Sequence, residues 1–210
     1  MSNLNNAASS GRIGQVDTLK GIAIAFVLLS HSVIKFPINL HENEACDFLS
    51  VFVSSVHMPM FFLLSGFCYS YSGDYRLFIT RKVKRILIPY FVFNFVSVLP
   101  RAVLPSLVNK TRGISESLVR IFFYGGDYWF LYVLFIIFAV YPWVDKLLNR
   151  SAVLKIMLPI SLPVLYCFSP GVEFLKLSSI EEHLIYFILG RYYKKADSIN
   201  RLKISLLIVF

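Results

Sequence analysis

The stretch LSVFVSSVHMPMFFLLSGFCYSY, Leu49 to Tyr71, decides the fold. It is apolar almost throughout and carries no Asp, Glu, Lys or Arg. It exceeds the roughly 20 residues that a helix needs to cross a hydrocarbon core of about 30 Å. Backbone N–H and C=O groups find no water inside lipid, so such a run is expected to be a helix that satisfies its own polar groups. Outward from it lie further apolar runs at Gly21–Phe36, Ile86–Leu99, Tyr128–Val144, Val153–Phe168 and Leu184–Tyr193, and another begins at Ile204. The alternating pattern of barrel strands is absent. The pattern predicts an all-α, polytopic membrane helical bundle with about six complete transmembrane helices and a truncated seventh, because Ile204–Phe210 is too short to span.

Charge agrees with that expectation. The chain is 57% hydrophobic and 16% charged, well below the roughly one quarter charged that soluble domains carry. Its net charge of +9 would point a soluble domain towards nucleic acid. Here the charges sit between apolar runs, so membrane lipid is the expected partner and nucleic acid is not. With the N-terminus inside, fifteen Lys and Arg fall on inner segments and five on outer ones. That bias predicts a multi-pass protein with a cytoplasmic N-terminal segment, residues 1–19. Met1–Gly11 is polar, and no small-residue cleavage pattern follows the first apolar run, so the first helix is read as uncleaved. Cys46, Cys68 and Cys167 form no zinc spacing, and no metal is expected. The topology puts Cys46 and Cys167 on one side. A disulfide between them is compatible with that, and three separate thiols is the simpler reading. Pro89 falls in the first turn of the third helix, where a missing N–H is tolerated, and Pro159 and Pro163 are expected to interrupt the fifth.

Few residues in these runs bear chemistry. Lys20 and His31 are eleven apart, three helical turns, so they share nearly one face, with Asp17 within roughly 40° of it. An ionisable residue as deep as His31 is costly and usually functional, although a neutral histidine bonding another helix is the alternative. Taken alone, Asp17 and Lys20 read better as interfacial anchors. His57, in the second helix, falls at about the depth of His31; a structural contact between helices and a chemical role suit it equally. Ser65-Gly66 reads first as a small pair for close packing and second as an opening for substrate. The basic loop Arg76–Pro89 holds Arg81, Lys84 and Arg85. It reads as topology or anionic-lipid contact, or as a cradle for donor phosphates. At Gly125-Gly126-Asp127-Tyr128-Trp129, Asp127 suits a helix cap. Trp129 suits an aromatic belt or a sugar-stacking surface.

Four features stand in order along the chain: Asp17-x-x-Lys20, ten residues, then His31; His57-Met-Pro-Met-Phe-Phe-x-x-Ser65-Gly66; Arg81-x-x-x-Arg85-x-x-x-Pro89; and Trp129-Phe-Leu131. In this the chain resembles the integral-membrane acyltransferase family 3, which includes bacterial O-acetylases of surface sugars, with a flavour of the fucose 4-O-acetylase-like branch. The family position at Lys20 is commonly Arg; Lys keeps the charge and loses the bidentate fork. Members typically have about ten helices, of which this chain would hold the first six and a half, so residues 1–210 read as one acyltransferase domain incomplete at its C-terminus. The resemblance implies a bacterial cytoplasmic membrane enzyme, an acyltransferase moving groups other than amino-acyl groups. An acyl group, usually acetyl from acetyl-CoA, would pass to a hydroxyl of a surface polysaccharide or glycan. It implies His31, with Lys20 and Asp17, as catalytic residues; Arg81, Lys84 and Arg85 on the acyl-CoA donor; and His57, Ser65 and Trp129 towards the glycan acceptor. The competing readings are a transporter or flippase of a lipid-linked sugar or small solute, and an inactive truncated fragment of the enzyme.

Overall fold

Asn43 starts the helix that the decisive stretch builds. Its side chain accepts the N–H groups of Ala45 at 3.1 Å and Cys46 at 3.3 Å, meeting donors that the first turn leaves orphaned. Glu44 and Asp47 place negative charge in that same turn. The computed structural model describes residues 2–32, 40–103, 113–168 and 172–209, with side chains over 17–32, 41–99, 113–168 and 172–196. Among these the secondary structure is helical throughout: α1 Ser2–Ser32, α2 Glu44–Phe67, α3 Tyr75–Lys82, α4 Ile88–Val103, α5 Ile114–Phe123, α6 Trp129–Arg150, α7 Ala152–Phe168 and α8 Leu177–Val209, with short 3₁₀ turns at Leu40–Glu42 and Phe174–Lys176.

The chain forms two compact units. The first comprises residues 1–69 and 186–210, and so holds α1, α2 and the later part of α8. Within it α1 packs along α2, and α2 also meets α8 through glycines. A Cβ on Gly66 would collide with the Phe187 backbone, and one on Gly190 with the Leu63 carbonyl. Each glycine therefore lets the opposite backbone approach as no other residue would. At the end of α2, Lys194 Nζ donates to the Tyr69 carbonyl at 2.9 Å and Arg191 at 3.4 Å. The Arg191 guanidinium also lies 5.2 Å from the Tyr69 ring centre. Two cations thus meet the electronegative C-terminal end of a helix.

The second unit comprises residues 70–185. Asp74 accepts the Leu77 N–H at 3.0 Å and starts α3. The stretch Arg76–Pro89, expected as a loop, is helical, because that cap starts α3 and the chain then continues through a wide π turn, Val83–Leu87, straight into α4. Ile88 N–H bonds back five residues to Val83 O. Pro89 brings no N–H, and the widened turn accommodates the break in the ladder without ending the helix. Lys82 Nζ sits 3.5 Å over the Phe138 ring centre of α6, and Tyr75 packs at a tilt against Trp143 with centroids 4.7 Å apart. Pro159 and Pro163 do not interrupt α7, which runs unbroken through both.

The expectation of about six complete spans plus a truncated seventh does not hold. Among the described residues two helices, α2 and α6, are long and apolar enough to cross a membrane. Apolar composition outlines the runs, and the helices divide differently. Ile86–Leu99 is shared between the π turn and a 16-residue α4. The helix α7 has 17 residues and falls just short. Leu184–Tyr193 and the stretch from Ile204 belong to one helix, α8, whose apolar run is flanked by Glu181, Glu182, Lys194 and Lys195. Residues 2–19, expected as a separate segment, are part of α1, and Val33–Phe36 of the first run lies outside the described residues. Large apolar side chains nonetheless face outward: Ile88, Val92, Phe93 and Val96 on α4, and Val153, Ile156, Met157 and Ile160 on α7. Apolar surface on that scale is what a lipid or protein partner would cover.

Candidate functional site

The α1 residues build from the helix upward. Ser2–Ser32 is continuous, so Lys20 and His31 keep the three-turn spacing that sets them on nearly one face. Lys20 Nζ lies 3.6 Å from Asp17 Oδ1, an i,i+3 pair open to solvent. His31 is exposed and occupies the last turn, where a protonated imidazole would complement the helix dipole.

His57 is the buried counterpart, 4% exposed. Its Nδ1 bonds to the Val53 carbonyl at 2.8 Å. A carbonyl can only accept, so Nδ1 carries a proton and donates it. Among the described residues no hydrogen bond or ion pair joins the two histidines. Ser65 is half-buried, beside the close approach at Gly66.

In the second unit, Arg81, Lys84 and Arg85 are exposed, three and four residues apart on the α3–π-turn segment, a spacing that groups side chains on one side of a helix. Trp129, the first residue of α6, is half-buried and meets the ring of His183 edge-on at 5.6 Å. His183 is a residue that the sequence reading missed. It is buried, and its Nδ1 donates to the Ser179 carbonyl at 2.8 Å, the same i−4 device as His57. Burial pushes its pKa below the ordinary histidine value, against smaller upward influences from the Ser179 carbonyl and Glu182. Its signal was hidden because Glu181-Glu182 beside it reads as a charged outer loop.

Asp127 does not cap α6. Tyr128 holds the cap position, with no side-chain bond. The reason lies in the preceding turn. Gly125 and Gly126 take φ of +75° and +55°, the left-handed region glycine occupies without strain. This turn delivers the Asp127 N–H to Asn94 Oδ1 at 3.0 Å. Asn94, fully buried in α4, spends its amide on the Tyr90 carbonyl at 2.9 Å. A Cβ on Gly126 would strike the Asn94 side chain. Asp127 Oδ2 in turn accepts the Ser97 hydroxyl at 3.0 Å. Asn94 was missed because one amide inside an apolar run reads as an incidental polar residue. The three cysteines are free thiols.

A model of the acyltransferase domain family matches residues 13–210, nearly the whole chain. No curated protein matches. No solved structure matches.

Proposed function

We propose, from the premise that the chain belongs to the acyltransferase domain family that its residues 13–210 match, that it is a membrane-embedded O-acyltransferase. It moves an acyl group, acetyl in the simplest case, from acyl-CoA to a hydroxyl of a cell-surface polysaccharide or glycan. The observation that carries this reading is the placement of Lys20 and His31 on one side of an unbroken helix inside the matched region.

The chemistry needs a base. A sugar hydroxyl is a weak nucleophile at neutral pH, and a positioned imidazole is the usual remedy. His31 takes the hydroxyl proton as the oxygen attacks the thioester carbonyl carbon. The C–O ester bond forms, the C–S bond breaks, and His31 returns the proton to the departing CoA sulfur. Asp17 and Lys20 support the donor-facing end of the helix. Arg81, Lys84 and Arg85 suit the phosphates of the donor. His57, Ser65 and Trp129 are assigned to the acceptor. The orientation has the N-terminus in the cytoplasm, where acyl-CoA is made.

The test is transfer of labelled acetyl from acetyl-CoA to glycan in membranes containing this chain or its His31→Ala form, at matched protein levels. The expected drop is about 10²–10⁴-fold, the usual contribution of a general base. Transfer that survives the substitution removes His31 from the mechanism. Sugar movement across the membrane without acetylation would replace the enzyme by a transporter.

A further inference from the structure

A polar recess in the second unit is used by none of the roles above. It lies where α4, α5 and the turn before α6 meet, and is lined by Asn94, Ser97, Ser117, Arg120, Gly126 and Asp127. Its volume is about 10 Å³, room for roughly one water-sized oxygen. Ser117 lines it, 4% exposed, and its Oγ is, among the described residues, without a hydrogen-bond partner. Buried hydroxyls are rarely left so.

The scaffold around the recess is overdetermined. Tyr90 Oη donates to the Ile121 carbonyl and ties α4 to α5. The Arg120 carbonyl accepts both Tyr124 N–H at 2.9 Å and Gly126 N–H at 3.0 Å, closing the turn. Asn94 holds that turn from the other side, so its own polar atoms are engaged. What remains for a ligand is the Ser117 hydroxyl and the half-buried Arg120, with the Asp127 carboxylate, engaged by Ser97, beside them.

We propose that this recess is a carbohydrate subsite that takes one hydroxyl of a neutral sugar. The volume admits a single oxygen. A sugar hydroxyl is donor and acceptor at once, and Ser117 offers both in return. The flanking charges have opposite sign, so an anion would meet Asp127 and a cation Arg120, whereas a neutral polyol is repelled by neither. The chain neighbours of Asn94 and Asp127 are Phe93 and Tyr128, 51% and 39% exposed with ring centroids 5.8 Å apart; such faces suit the C–H side of a sugar ring. As the seat of the acyl acceptor, the subsite rests on the acyltransferase reading; as a sugar site it stands separately.

The experiment uses the full chain purified in detergent, an array of neutral and acidic bacterial oligosaccharides, and inorganic phosphate as an anion control. Ser117→Val fills the recess, Ser117→Ala removes the hydroxyl with the least disturbance, and Arg120→Gln removes the cation; thermal unfolding checks each fold. Neutral oligosaccharides are expected to bind, at least tenfold more weakly to Ser117→Val and Arg120→Gln, with Ser117→Ala between and Arg120→Lys regaining part of the loss. In the transfer assay the acceptor KM rises while the acetyl-CoA KM stays. Undiminished sugar binding by the folded Ser117 and Arg120 variants overturns the proposal and leaves the recess to a water molecule. Preference for phosphate or acidic sugars, or no binding by the parent chain, also overturns it. Binding that depends on Ser117 without any transfer by the parent chain retains the subsite and removes the acyltransferase reading.

Discussion

His57 and His183 stand four residues after the carbonyls that hold them, and Nδ1 of each ring is thereby the donor. For His183 burial sets a pH dependence. Desolvation disfavours its charged form in the fold, so its folded pKa lies below the ordinary 6.5. The unfolded chain takes up the proton first. The contribution of His183 to stability is therefore whole above pH 6.5 and declines as pH falls through the folded pKa. Thermal midpoints in detergent are expected to drop between pH 7.5 and 5.0, and less steeply in His183→Gln; parallel profiles would exclude this role. Gly126 carries a second prediction. Alanine there combines a strained positive φ with a collision against Asn94, a loss of about 1–3 kcal/mol, read as a lower unfolding midpoint than that of Gly113→Ala, whose Cβ meets only the far side of van der Waals contact. The sequence made His57 legible because it interrupts an apolar run. His183 and Asn94 were not legible, since what matters about them is who faces them across the fold, and that is not written in their neighbours.

At the scale of elements, the helix-forming stretches could be read from apolar content and their ends could not. The Arg76–Pro89 segment has the charge of a loop, yet Asp74 caps it and the π turn carries it past the proline. Charged residues likewise failed to mark the end of α8, which runs on past Lys194 and Lys195. Glycine told more. Ser65-Gly66 reads as a packing pair, and Gly66 indeed has the Phe187 backbone against it, with Gly190 answering from α8. Gly66→Ala and Gly190→Ala should each cost about 1–3 kcal/mol, the range of overpacking in a filled core. Resistance to thermal unfolding in detergent reports it, with Gly21→Ala, which meets open space, as the control expected to be neutral or better. An unchanged midpoint in both packed variants would mean that the α2–α8 contact is looser than it stands here.

For the molecule as a whole, helical class was legible and span count was not, because composition measures apolar runs while crossing a bilayer depends on where helices begin and end. The helices α2 and α6 meet the length. If α2 spans, Cys46 and Cys68 mark its opposite ends. With the N-terminus inside, a membrane-impermeant maleimide should label a single-cysteine Cys46 protein in intact cells, and a single-cysteine Cys68 protein only after lysis. Labelling of Cys68 first reverses the orientation, and equal labelling of both in intact cells removes α2 as a span.

The wide turn at Val83–Leu87 also keeps the phase of all that follows it in α4. It takes up an extra residue without changing which way the later side chains point. Removing a single residue there would let the wide turn close to an ordinary α turn and leave the rest of α4 in phase, whereas adding one would rotate it by about 100°, carrying Asn94 off the Gly126-Asp127 turn and Tyr90 off Ile121 together. The segment should therefore accept the loss of one residue more readily than the gain of one.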